Sequence, residues 1–272
     1  MAVPTSQDKK NSAFCGSSTF KRKKSFHNFK ILAVLDIIYE DDHLVVVNKP
    51  AGLLTVADRF QHESVHLQSL LRKKYGEIFT VHRLDKDTSG LVIFGKDAEV
   101  HRLLSLAFEQ RDVNKIYLAL ADGQLEKEGA IDEPLALSDT RPGTMKVYKK
   151  GKPSLTTYKT LERYEWFNVL EVTLHTGRMH QIRVHLAFLG HPLFIDPVYG
   201  RRAEFYLSEW KGRKYRIGKN GHEERPLMSR LSLHAWKLDL IHPVTGAPMH
   251  FEAPIPKDIR ALMNQGKRID NE

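Results

Sequence analysis

Residues 155–175 read LTTYKTLERYEWFNVLEVTLH, two strand-like runs in direct succession. Residues 155–163 and 168–175 are rich in Thr, Tyr, Val and Leu, and Tyr164-Glu165-Trp166-Phe167 joins them, which predicts an antiparallel hairpin. In the second run Leu170, Val172 and Leu174 alternate with Glu171, Thr173 and His175, so one side faces a core and the other stays polar. Consecutive strands with no helix between them argue against a purely doubly wound parallel sheet. They point to an α+β domain with a mixed or antiparallel sheet.

Working outward, residues 116–120 (IYLAL) place Ile116, Leu118 and Leu120 on one face of a strand and Tyr117 on the other, away from the bulkier apolar set. Residues 44–47 (LVVV) read as a buried strand stopped by Lys49-Pro50-Ala51-Gly52. Leu67, Leu70 and Leu71 have helical spacing, with Ser64 as N-cap and Gly76 just past the end. Residues 91–94 (LVIF) form another strand, followed by a helix that Asp97 caps and whose apolar positions are Val100, Leu103, Leu104, Ala107 and Phe108.

With 272 residues the chain is long enough for a substantial core. No apolar run approaches the roughly 18 residues of a membrane span, and the N-terminus lacks the apolar centre of a secretory signal. The single cysteine, Cys15, excludes an internal disulfide framework and argues against a thiolate metal site, so a reducing cytoplasm is the expected home. Basic charge is concentrated in two places. Residues 1–30 set seven Lys and Arg against Asp8, and residues 201–230 set nine against four glutamates. Such segments attract polyphosphate, although a solubilising tail and a solvated loop have the same composition. Residues 1–30 have few apolar anchors and are expected to form a basic, disordered tail. One folded domain, 31–265, is expected to follow, with 201–230 as an insertion-like segment and no second-domain linker. A monomer is the expected state.

Three constellations carry chemistry. In residues 80–94 (TVHRLDKDTSGLVIF) two carboxylates and two cations crowd between apolar runs. A turn needs an Asx residue but has no use for Arg83 and Lys86 beside it. In residues 175–186 (HTGRMHQIRVHL) Met179, Ile182, Leu186 and Leu189 follow helical spacing, with Thr176 or Gly177 opening the helix and Gly190 closing it. Arg178 then lies near an anion-favouring helix N-terminus, and Arg183, at the edge of the apolar stripe, calls for a carboxylate partner. His180 and His185 are five apart, about 140° around a helix, so they do not form a metal-binding i, i+4 pair. No metal is expected. The third is the basic turn 140–152, followed later by 201–230, in which Phe205, Tyr206, Trp210 and Tyr215 interleave with cations; such aromatics either stack on bases or pack locally.

Taken together, residues 81–90, 115–120 and 176–186, with Leu189-Gly190-His191-Pro192, Asp196-Pro197-Val198-Tyr199-Gly200, Leu233-His234-Ala235 and His242-Pro243-Val244-Thr245-Gly246, resemble the RluA family of RNA pseudouridine synthases over roughly residues 35–255. The resemblance implies a mixed, largely antiparallel sheet flanked by helices, with a central RNA-binding cleft. It also implies isomerisation of uridine to pseudouridine in ribosomal or transfer RNA, with no cofactor. By this similarity Asp85 is the catalytic aspartate, Tyr117 lies against the target base, and Arg183 is the salt-bridge partner of Asp85. His82 and Arg83 contact RNA, and Lys49, Arg178 and the 140–152 turn contact phosphate. A carboxylate that acts as nucleophile or base must stay ionised, and a nearby guanidinium opposes the effect of burial. Attack at C1′, attack at C6 and removal of a sugar proton are all open to Asp85. Many relatives carry an N-terminal S4 domain, for which the residues before the body are too few and too polar. A non-catalytic RNA-binding protein on the same fold is the alternative. A glycoside hydrolase using Asp85 and Asp87 would need carboxylates about 5–9.5 Å apart across a sugar.

Overall fold

The computed structural model describes residues 35–58, 65–212, 215 and 223–269. The expected 1–30 tail and the Ser64 cap lie outside them. Within the unit Leu35–Glu272, β1 (Asp36–Glu40), β2 (Leu44–Lys49) and β4 (Ser89–Gly95) form one side of a sheet, with β3 (Phe79–Thr80) beside β4. The other side consists of β5 (Asn114–Asp122), β10 (Phe167–Leu174), β9 (Leu155–Arg163) and β6 (Glu128–Asp132). The late strand β11 (Leu233–Ile241) joins the two, and β12 (Pro248–Glu252) pairs with it. Every named pairing is antiparallel except β4 with β11. A mixed, largely antiparallel sheet is therefore what the 155–175 pattern builds. β7 (Leu135–Leu137) and β8 (Met145–Val147) make a separate ribbon.

The helices largely follow their sequence signals. α1 (Leu67–Tyr75) ends at Gly76, as expected, but His66 caps its start by accepting the Ser69 amide. α2 (Ala98–Gln110) begins at Asp97, whose carboxylate accepts the Val100 N–H at 2.8 Å. α3 (Gln181–Phe188) starts later than the spacing predicts, because residues 175–180 stay non-helical and only residues 179–180 turn into it. Across that segment Gln181 Oε1 accepts the Arg178 amide at 3.0 Å, while its Nε2 donates to Leu155 O and Thr156 Oγ1. Two short elements complete the set, α4 (Leu207–Lys211) and α5 (Lys257–Gln265).

Both faces of β5 are covered. Ala119 and Ala121, with Tyr117, join a core of Leu170, Val172, Ile182 and Leu186 beneath α3, whereas Leu118 and Leu120 join Phe167, Phe194, Phe205 and Leu262 on the opposite side. The period-two reading of residues 116–120 thus places Tyr117 correctly. The β10 pattern is only half-right: Phe167 and Val169, on the face that turns polar at Glu171, are buried as well.

The β4–β11 contact leaves no room for a side chain. Gly90 has φ +114°, and a Cβ there would lie 2.1 Å from the Ala235 carbonyl oxygen. Only glycine permits that approach.

Candidate active site

The loop that carries Asp85 runs from β3 to β4 and is tied down on both sides of that residue. Thr55 Oγ1 donates to Leu84 O at 3.0 Å and accepts the Leu84 amide at 3.2 Å. On the other side the Lys86 carbonyl accepts from Gly52 N at 2.9 Å and from Lys49 Nζ at 3.0 Å. Lys49 also donates to Pro50 O and Leu53 O. It is fully buried, and desolvation brings its pKa down to about 7 against the pull of Asp87 and Asp85. The expected phosphate contact is thereby corrected: three protein carbonyls take all three of its donors, and it braces the loop from within.

Asp85, Arg83, Tyr117, Arg178, His180 and Arg183 line one open cleft, with Leu233 and Leu174 among its apolar lining. The sheet seam explains the convergence. Asp85 comes from the β4 side, Tyr117 and Arg183 from the β5 side, and β11 brings the two together. Burial and the charge of Asp85 both raise the Tyr117 pKa, so its phenol remains protonated and serves as a ring surface and a donor.

Arg183 does not pair with Asp85. Its Nε and Nη2 each donate at 2.7 Å to Asp196, whose side chain is fully buried and also accepts the Val198 and Tyr199 amides. The requirement for a carboxylate partner was legible; the partner was misassigned, because Asp196 lies in a loop 13 residues farther on. The guanidinium still acts on Asp85 through space, and it lies over the Tyr199 ring at 4.9 Å.

The side chain nearest Asp85 in charge terms is His180, with Nε2 3.8 Å from Oδ2. His180 adopts φ 54°, ψ 20°, a left-handed conformation uncommon outside glycine and costly to hold. Its Nδ1 lies 2.8 Å from the Tyr199 hydroxyl, which accepts the Met145 amide from β8 at 2.7 Å. With the hydroxyl proton directed at Nδ1, the neutral imidazole carries its own proton on Nε2, facing Asp85. Burial lowers the His180 pKa, opposed mainly by Asp85. From sequence His180 is expected to bond phosphate or backbone and not a metal, and Tyr199 has no role assigned. Its signal was the histidine just ahead of the Gln181–Phe188 helix, but the ribbon contact has none.

His82 is held in place by packing within the wall beside the cleft. Its ring stacks on Phe108 at 4.6 Å, and its Nε2 accepts the Ile93 amide at 3.2 Å. Burial pushes its pKa down to about 3. Arg83 is exposed and Arg178 half-exposed at the cleft mouth. Among the described residues of 201–230 local packing prevails. Phe205 is buried and Trp210 packs on Phe167 and Phe205, while Arg201 and Arg202 pair with Asp122 and Arg230 with Asp258. His185 is buried too, bonded to Thr156 and the Glu133 carbonyl. Among the described residues no three His, Cys, Asp or Glu side chains are grouped to hold a metal.

A family model described as RNA pseudouridylate synthase matches residues 43–188, which span the Asp85 loop, Tyr117 and Arg183. The chain belongs to that family. It is 38% identical to the ribosomal large subunit pseudouridine synthase D of Nitrosomonas europaea over 84% of this chain and 64% of that protein. Against the proteins of the same name from Escherichia coli K12 and Haemophilus influenzae the identities are 36% and 37%, covering 69% and 70% of their lengths. The chain therefore spans about two-thirds of the length of these relatives. Among solved structures, human RNA pseudouridylate synthase domain containing 1 superposes with a TM-score of 0.66 at 27% identity, covering 88% of this chain and 90% of that one. Domain containing 4 gives a TM-score of 0.67 at 22% identity, covering 89% and 97%, and supports the fold. The described elements match the mixed sheet expected from sequence.

Proposed function

We propose that this chain isomerises uridine to pseudouridine in ribosomal RNA, with Asp85 as the catalytic carboxylate, Tyr117 against the target base, and no cofactor. One observation carries the reading: Asp85, on a loop braced from both sides, shares an open cleft with Tyr117 and Arg183. Ribosomal RNA is favoured over transfer RNA by the names of the similar bacterial proteins.

In the reaction the C1′–N1 bond breaks, C5 bonds to C1′, and the proton lost from C5 is balanced by one gained at N1. Asp85 supplies the charge or base that starts this, by any of the three routes open to it. The Arg183 guanidinium, coupled to Asp85 through space, and His180, whose Nε2 lies 3.8 Å from Asp85 Oδ2, orient the carboxylate in the cleft. Tyr117, protonated, offers its ring to the turning uracil. Arg83 and Arg178 at the mouth contact phosphate. The target base must leave its stack, which costs a few kcal/mol that such contacts offset. The reading has the 31–265 body acting as a monomer in the cytoplasm.

The test is mapping of pseudouridine in ribosomal and transfer RNA from cells with and without the gene, alongside tritium release from 5-tritiated uridine RNA by purified protein. Loss of a ribosomal pseudouridine in the deletion supports the reading. Binding without tritium release would favour the non-catalytic alternative, and loss confined to transfer RNA would move the substrate.

A further inference from the structure

Beside the Asp85 cleft lies a second hollow that shares Arg83, Tyr117, Leu174, Gly177 and Arg178 with it. Its own wall adds Arg111, Lys115, His175 and the stacked pair His82–Phe108. Three arginines and a lysine thus face one concavity, against the single lining carboxylate Glu109. Among the described residues none of Arg83, Arg111 and Lys115 has a carboxylate within ion-pair distance, in contrast to Arg183, Arg201, Arg202 and Arg230. Like charges gathered without counter-charges repel, and an anion relieves them.

Two details mark Arg111 and Lys115 as more than a solvated edge. Arg111 ends α2 in the left-handed region at φ 67°, where glycine fits at lower cost. Lys115 is half-buried with its ammonium 5.5 Å from the Phe108 ring centre, so its stem is packed and its charge is aimed. Burial and the neighbouring Arg111 lower the Lys115 pKa, the unfavourable state that a bound phosphate reverses.

We propose that this hollow binds the phosphodiester backbone of the RNA strand flanking the target uridine, with Arg111 and Lys115 as phosphate ligands and Arg83 and Arg178 bridging to the Asp85 cleft. The assignment rests on the function proposed above for the neighbouring cleft, since a base held against Tyr117 carries its flanking strand across the shared wall.

The experiment is binding of an unstructured oligoribonucleotide of about 16 nucleotides, followed by fluorescence anisotropy at several salt concentrations. It compares the full chain with Arg111→Asn, Lys115→Gln and the double variant; Asn tolerates the left-handed backbone. Each single change is expected to weaken binding several-fold and to reduce the slope of log Kd against log salt by about 0.7, the value for one phosphate contact on a single strand. Lys73→Gln, on the exposed face of α1, should alter neither quantity. A wild-type slope in Arg111→Asn, an exposed site whose replacement leaves the core untouched, overturns the proposal even if Lys115→Gln fails to fold. Turnover is read separately on ribosomal RNA: absence of wild-type turnover would fail the proposed function, while the salt slopes alone decide on the hollow.

Discussion

Arg183 and Asp196 are joined by two parallel hydrogen bonds of 2.7 Å, and both side chains are almost wholly removed from water. The arginine expected to hold Asp85 instead fixes the end of the 196–199 loop, and with it Tyr199. Its effect on Asp85 is therefore partly field and partly architecture.

Breaking that pair should cost stability and activity together. Asp196→Asn leaves a buried guanidinium without its counter-charge and is expected to destabilise the protein by about 3–5 kcal/mol. Arg183→Lys loses the two-pronged geometry and should lower turnover. Urea denaturation and kcat measured on both variants check this; an Asp196→Asn protein of wild-type stability would show the pair to be dispensable.

Asp85→Asn should abolish pseudouridine formation while RNA affinity changes little, because the loop is braced by Thr55 and Lys49 and not by the carboxylate. Measurable turnover in a preparation free of wild-type protein would remove Asp85 from its proposed role.

His180→Ala should reduce kcat several-fold, up to about tenfold, because its Nε2 faces Asp85 at 3.8 Å, beyond a direct hydrogen bond, and interacts through space. Tyr199→Phe, which frees the ring without removing it, should give a smaller loss. KM for RNA is expected to hold steady in both, and an effect confined to KM would recast His180 as an RNA contact.

Acid should weaken the fold through two histidines, His234, which is buried, and His82, which is half-buried and stacked on Phe108. His82 and His234 have pKa values pushed down by burial to about 3 and about 4. As pH falls below 6.5 the unfolded chain takes up protons that the native chain refuses. Stability therefore drops by up to about 1.4 kcal/mol per pH unit for each ring until the folded values are reached. Urea midpoints from pH 7 to 4.5 follow the fall, and NMR titration of the His82 ring reports it directly; a midpoint near 6.5 for that ring would contradict its burial.

Lys49→Met should unfold the protein more readily and loosen the Asp85 loop, since each carbonyl left without a donor costs about 1–3 kcal/mol. The expected signature is a lower denaturation midpoint with a lower kcat. A stable, fully active variant would mean that Gly52 and Thr55 suffice to hold the loop.

The architecture was largely legible because alternation and capping are local signals. The 155–175 hairpin, the Asp97 cap and the outward face of Tyr117 all follow from spacing within a few residues. What failed depends on distant partners. Nothing around Arg183 distinguishes Asp85 from Asp196, and Lys49 looks like a surface cation until three carbonyls from two loops close around it. Tyr199 meets His180 across 19 residues and the Met145 amide of β8 across 54, separations no local pattern reveals. Aromatic spacing in 201–230 suits base stacking and local packing equally well, and Phe205 and Trp210 pack locally.

The place of β11 between β4 and β5 also sets an order of events during synthesis. Ser89 and Gly90 must wait for His234 and Ala235, strand partners more than a hundred residues later in the chain. Both flanking half-sheets can form as they leave the ribosome, but contacts of such long sequence separation close last and slowly. A nascent chain stalled before residue 233 would display both halves of the cleft and join neither, so competence for catalysis arrives in a single late step.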